Sequence, residues 1–145
     1  MRELDETTGG IVDASVRIHR DLGPGLLESV YEAVLARALY QRGFQVERQK
    51  AIRFEYQGMV IEEGFRIDLL VDGRVIVELK SVERLEPVHA KQLLTYLKLT
   101  STPVGLLINF GAASLREGLH RVVNGLPASA SPRLRVNQRI RAQPD

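Results

Sequence analysis

The stretch Phe65-Arg66-Ile67-Asp68-Leu69-Leu70-Val71-Asp72-Gly73-Arg74-Val75-Ile76-Val77-Glu78-Leu79-Lys80 alternates in character on both sides of an Asp-Gly pair. Period-two alternation belongs to strands, and Asp-Gly favours a tight reversal, so two antiparallel strands joined by a turn are predicted. In the first strand Phe65, Ile67, Leu69 and Val71 share one face and leave Arg66, Asp68 and Leu70 opposite. In the second, Val75, Val77 and Leu79 take one face while Glu78 and Lys80 take the other. The two apolar faces have to meet on one core side, and register determines whether they do. A two-residue Asp72-Gly73 turn would set Asp68 opposite Val77 and mix the faces. A three-residue turn with Gly73 left-handed puts all seven apolar residues on the core side and brings Asp68 beside Glu78 and Lys80. The odd loop is therefore predicted.

Two carboxylates and a lysine on a partly buried sheet face repel or crowd one another unless a cation sits between the acids, which a hard, oxygen-seeking ion such as Mg2+ supplies. The backbone carbonyl of Leu79 is a further candidate ligand. Lys80 is placed to orient or deprotonate a water and to offset charge developing on a phosphate. Glu-x-Lys is also a common tripeptide that keeps a strand edge solvated, so the site needs support from elsewhere in the chain.

Outward from this hairpin, Ile11, Val12, Ile18 and Leu22 recur at helical spacing over 8–22, and Gly23-Pro24-Gly25 interrupts them. A second helix over 27–42 carries Leu27, Tyr31, Val34, Leu35 and Ala38, with Gly43 as its stop. Extended segments are predicted at 44–50, 52–56, 59–63, 65–71 and 75–80, some of them fused, forming an antiparallel meander. Pro87 opens a third helix to residue 99 with Val88, Leu93, Leu94 and Leu97 on its apolar face. The run 104–110 reads as a buried strand, and 114–123 as a last helix with Ser114 as its N-cap.

Three residues on these helices bear on the site. Glu28 stands at the border of the second helix's apolar stripe, where a charge is partly desolvated; it suits either a metal site or simple pairing with the helix dipole. Gln92 and Tyr96, four apart, share a face of the third helix and can hydrogen-bond a phosphate or carboxylate, or merely edge an amphipathic helix. His19, His89 and His120 show no ligand spacing and read as surface or packing histidines.

The chain's 145 residues suffice for one domain, and its 44% hydrophobic and 26% charged residues are those of an ordinary globular protein. The absence of cysteine excludes disulfides, thiolate zinc sites, iron–sulfur clusters and a cysteine nucleophile. With an acidic start and no long apolar run, neither a signal peptide nor a membrane span is read, and a cytoplasmic location is expected. The sequence pI near 9.1 comes from one end. Residues 127–145 hold Arg133, Arg135, Arg139 and Arg141 against Asp145; removing that +3 from the total of +2 leaves residues 1–126 near −1. A domain over 1–126 and a basic, flexible tail over 127–145, punctuated by Pro127, Pro132 and Pro144, are expected. No phosphate-binding glycine loop or nucleophile elbow is present: Gly23-Pro24-Gly25 lacks the lysine and the preceding strand of a nucleotide loop.

Taken together, Glu28, Asp68, Glu78-Leu79-Lys80 and Gln92-x-x-x-Tyr96 resemble the PD-(D/E)XK nuclease superfamily, in which an acidic helix residue, an Asp on one strand and Glu-x-Lys on the next build a metal site. The Gln-x-x-x-Tyr element resembles that of its phage-exonuclease and RecB-like branch. Gly25-Leu26-Leu27-Glu28-Ser29-Val30-Tyr31 is similar to the element that names the GxxExxY proteins, and the likeness runs from about residue 11 to 123. Ile67 stands where the superfamily's name has proline. The resemblance implies a restriction endonuclease-like α/β fold with a central mixed sheet flanked by helices. It implies a DNA phosphodiester hydrolase using Mg2+, or Mn2+ in its place, with Glu28, Asp68, Glu78 and Lys80 catalytic and Gln92 and Tyr96 supporting. Asp68, Glu78, the Leu79 carbonyl and Glu28, directly or through water, are the expected ligands. DNA is the expected partner, and a domain this small leaves room for a homodimer or a partner protein. The competing expectation is a non-catalytic nucleic-acid-binding or assembly module that keeps the fold, favoured by the near-neutral body.

Overall fold

The computed structural model describes residues 2–125. The basic segment expected over 127–145 lies outside the described residues. The elements run α1 (Leu4–Leu22), α2 (Glu28–Gln41), β1 (Val46–Tyr56), β2 (Met59–Val71), β3 (Val75–Lys80), α3 (Pro87–Thr100), β4 (Val104–Asn109), α4 (Leu115–Gly118) and β5 (Leu119–Val123).

The five strands form one mixed sheet in sequence order. β1, β2 and β3 are an antiparallel meander; β4 lies parallel to β3, reached through α3; β5 returns antiparallel to β4. A parallel neighbour needs a crossover, and α3 is long enough to supply it. The result is the restriction endonuclease-like α/β arrangement. Both faces of the sheet are covered, as the burial of all of β4 and of β3 up to Leu79 requires.

On one face α1 and α2 pack Ile11, Ile18, Tyr31, Leu35 and Leu39 against Leu69, Val71, Val75, Val77, Leu79, Leu106 and Ile108. On the other, α3 packs Leu93 and Leu97 against Ile52, Ile67, Leu70, Ile76 and Leu107. Burying these apolar groups stabilises the fold by roughly 25 cal/mol per Å2 of surface removed from water. The first helix starts one turn earlier than its apolar pattern indicates, because Glu3 and Glu6 form a capping box, with the Glu3 N–H donating to Glu6 Oε1 at 3.0 Å.

The turn after β2 is the predicted three-residue loop: Val71 pairs with Val75, the Arg74 N–H donates to the Val71 carbonyl at 3.0 Å, and Gly73 has φ 65°. Asp72 is left-handed as well, at φ 53°. Its carboxylate is held by Arg2 Nε at 3.0 Å, the Thr7 hydroxyl at 3.0 Å and the Gln45 N–H at 3.0 Å.

Three expectations need correction. The seven apolar residues of the hairpin do not share one face: Phe65 and Ile67 lie under α3, whereas Leu69, Val71, Val75, Val77 and Leu79 lie under α1 and α2. The ribbon turns over at Gln49, which adopts φ 48° between the paired residues Arg48 and Lys50 and so breaks the side-chain alternation. Second, 114–123 is not one helix. Ser114 does cap a helix, accepting the Glu117 N–H at 3.3 Å, but α4 ends at Gly118 and β5 pairs with β4. Gly118 sits so close to the Asn109 carbonyl that a Cβ there would lie 2.3 Å from it, and the exposed edge of β4 offers a complete set of backbone partners. Third, Val88 and Leu27 are exposed: α3 turns Leu93 and Leu97 inward instead, and Leu27 is the N-cap of α2.

Candidate active site

β2 and β3 pair from the turn only as far as Leu69 and Val77. Past that point side chains take over the ladder. The Asp68 N–H donates to Glu78 Oε2 at 2.9 Å, and the Leu79 N–H donates to Asp68 Oδ2 at 2.8 Å. Each carboxylate is thus fixed by the other strand's backbone. The Lys80 carbonyl accepts from Phe110 N at 2.8 Å on the β4 side. Successive peptide groups along a strand point to alternate sides, so the Leu79 carbonyl faces the β2 side, as its N–H does. Lys80 is half-buried at the end of the same strand.

The helical side of the site is organised by Tyr31. Its hydroxyl donates to the Gly23 carbonyl and accepts the Leu26 N–H at 3.2 Å, and its buried ring stacks on Phe110 with centroids 4.5 Å apart. The Ser81 hydroxyl, next to Lys80, donates to the Leu26 carbonyl at 2.6 Å. These bonds lash the loop before Glu28 to the end of β3, and give the spacing Gly25-x-x-Glu28-x-x-Tyr31 a physical sense.

Two residues that the sequence did not single out complete the surroundings. Glu32, one turn after Glu28, is only 7% exposed and accepts from Arg48 Nε at 3.2 Å and Gln49 Nε2 at 2.6 Å. Gln49 Nε2 also donates to Asp68 Oδ1 at 3.2 Å. The i, i+4 relation to Glu28 was the available signal for Glu32. Nothing in the local pattern pointed to Gln49, whose placement depends on the kink in β1.

Burial first, and then the neighbouring Asp68 charge, push the Glu78 carboxyl up to about 8, against the pull of the Asp68 N–H and Lys80. Asp68 is also raised, by burial and by Glu32, with the Leu79 N–H, Gln49 and Lys80 opposing. Glu28 is raised by partial burial and by Asp68 and Glu32, with Lys80 and His89 opposing. It remains exposed, so solvent screens it more than Glu78. Tyr96 is raised by burial and by Glu78 and Asp68, and its ring stacks on Phe65 at 4.1 Å. Glu28, Asp68, Glu78, Lys80 and Tyr96 therefore share one electrostatic neighbourhood. Gln92 is exposed one turn before Tyr96, and His89 Nδ1 accepts the Glu86 N–H at 3.0 Å as part of the α3 cap. His19 packs between helix and loop, with Nε2 2.9 Å from the Ala112 carbonyl.

The donor set fits a hard divalent cation. A carboxylate has about four lone-pair sites, so one or two N–H bonds leave Asp68 and Glu78 free to ligate further, and the crowding that raises Glu78 is relieved by a cation. Among the described residues, no group of three or more His, Cys, Asp or Glu side chains is arranged so as to hold a metal ion. The three acids expected to meet at one point are not so assembled: Glu28 opens α2 on its exposed side, while the buried stripe of that helix carries Glu32 inward.

A mixed sheet with an Asp on one strand, Glu-x-Lys on the next and helices on both faces is the architecture of restriction endonuclease-like proteins. The chain belongs to the PD-(D/E)XK nuclease superfamily, whose family model matches residues 5–122, from α1 into β5. No curated protein and no solved structure matches the chain. Membership points to nuclease-type chemistry on nucleic acid. No helix among the described residues is long and apolar enough to cross a membrane.

Proposed function

We propose that the chain is a GxxExxY-type nuclease that hydrolyses DNA phosphodiester bonds with the help of a divalent cation, Mg2+ or Mn2+. The observation that carries this reading is the reciprocal bonding of Asp68 and Glu78 beside Lys80, which holds a half-buried and a buried carboxylate together at an electrostatic cost that a cation would offset. Asp68, Glu78 and the Leu79 carbonyl would hold the ion, with Glu28 acting through water. A cation bound there supplies charge to neutralise the phosphodiester oxygens.

The protein's own groups do the rest. The Lys80 ammonium faces the same charges, orients the attacking water by donating to it, and offsets charge developing on the phosphate. Tyr96, kept protonated by burial and the two acids, donates toward the phosphate, and Gln92 extends that donor edge along α3. The Leu79 and Asp68 N–H groups keep both carboxylates from swinging away while phosphate binds.

The test is cleavage of single-stranded, duplex and branched DNA with and without Mg2+ or Mn2+. Metal-dependent cleavage lost in Lys80→Ala supports the reading, and equal residual activity in wild type and Lys80→Ala rejects it. A second reading, a non-catalytic nucleic-acid-binding or assembly module, is favoured by the near −1 charge of residues 1–126, since a nuclease cleft ordinarily concentrates positive charge. Calorimetry separates the two: Mn2+ binding that Asp68→Asn abolishes belongs to the nuclease, whereas a scaffold loses nothing with that carboxylate.

A further inference from the structure

We propose that Glu32 and Gln49 are positioning residues that hold Asp68 in its ligating orientation. Resting on the metal-site reading above, this assigns work to two side chains that make no direct claim on a phosphate. Asp68 Oδ2 is fixed by the Leu79 N–H, which leaves the carboxylate free to rotate about that one bond. The second constraint is the Gln49 amide, whose single Nε2 group spans Asp68 Oδ1 at 3.2 Å and Glu32 Oε1 at 2.6 Å. An NH2 group has two hydrogens, one for each acceptor, so the bridge is complete as drawn. Glu32 is itself anchored through its other oxygen by Arg48 at 3.2 Å, and its burial in α2 keeps it from moving.

The backbone supplies an independent argument. Gln49 adopts φ 48°, a region in which a side chain is disfavoured and glycine is not. A residue with a Cβ at such a position of a strand is strained, and strain of this kind is kept where a side chain has work to do. The kink turns the ribbon over and delivers the Gln49 amide between α2 and Asp68, which regular alternation would not do. Arg48 pairs with this third carboxylate at 3.2 Å and so balances its charge beside Asp68 and Glu78.

Gln49→Gly separates positioning from architecture, because glycine adopts this backbone freely. The expected result is an equal or higher Tm together with Mn2+ binding weakened by about 10–100-fold in calorimetry, the range for loss of a group that orients a metal ligand. Glu32→Ala should weaken binding similarly, and Glu32→Gln, which keeps an acceptor oxygen for Gln49, should recover most of it. Unchanged Mn2+ affinity in Gln49→Gly overturns the proposal. A metal-free arm uses the 15N-labelled full chain: the Gln49 side-chain amide protons should exchange with solvent more slowly than those of exposed Gln41, and lose that protection in Glu32→Ala. Equal exchange in the wild type overturns the proposal whether or not the chain binds metal. A wild-type chain that binds no Mn2+ but shows the protection ends the cation reading and keeps Gln49 as the clamp on Asp68.

Discussion

The ring of Tyr31 lies flat on that of Phe110, centroids 4.5 Å apart and planes within 7°, joining the helix that begins with Glu28 to the end of the strand beside Glu78. The hydroxyl at the ring's far end closes the loop at Gly23 and Leu26. Tyr31→Phe keeps the stack and removes both bonds, leaving two part-buried backbone groups without that partner. A loss of about 1–3 kcal/mol in urea unfolding is expected. Tyr31→Ala should cost about 3–5 kcal/mol, since it also opens a cavity. Equal stability of wild type and Tyr31→Phe would show that water replaces the hydroxyl at no cost.

The raised Glu78 carboxyl makes the metal-free fold sensitive to alkali. Its folded value of about 8 lies above its ordinary 4.5, so the native state holds a proton that the unfolded chain has released between these values. Stability contributed by this group is therefore full below about pH 4.5 and is lost as pH rises through 8, by at most about 1.4 kcal/mol per pH unit. Denaturation in EDTA should show that decline, and Glu78→Gln should flatten it. Mg2+ added at pH 8 should restore wild type but not the variant.

At the level of catalysis, Lys80→Ala should lower the cleavage rate about 100-fold or more while leaving Mn2+ affinity nearly unchanged, because in the proposed mechanism the ammonium acts on water and phosphate and does not ligate the ion. Asp68→Asn should lose both cleavage and metal binding. Single-turnover cleavage alongside calorimetry distinguishes the two patterns.

A fourth prediction concerns the segment after Lys80. A Cβ on Gly111 would stand 2.3 Å from the Val82 carbonyl, and that segment is further held by Asn109, which accepts the Val82 N–H at 3.0 Å and donates to its carbonyl at 2.9 Å. Gly111→Ala should cost about 1–3 kcal/mol and shift the Lys80 and Ser81 amide resonances, because backbone rather than a flexible side chain has to give way. Gly125→Ala, with open space at its Cβ, is the control.

What was legible in the sequence follows from how far each signal reaches. The odd Asp72-Gly73-Arg74 turn could be derived because apolar register and turn chemistry require the same answer, and Asp68 and Glu78 came together with it. Helices α1, α2 and α3 were visible in their apolar spacing. The strand Leu119–Val123 was hidden because Leu115, Leu119 and Val122 satisfy a helical stripe as well as a strand, and only the open edge of β4 decides between them. Phe65 and Ile67 were assigned to the wrong face because a single left-handed residue, Gln49, reverses the alternation on the neighbouring strand. Glu32 escaped notice for the same reason: its partners arrive from β1 across that kink.

The turnover at Gln49 also bears on how the molecule comes apart. Since β2 lines both interiors, the helices on the two sides are laced to one piece of backbone. Lifting α3 uncovers Phe65 and Ile67, and the disturbance reaches Leu69 two residues later, beneath α1 and α2. A chain threaded this way opens as a single cooperative unit, and Asp68, seated at the crossing point, is gripped from both layers at once.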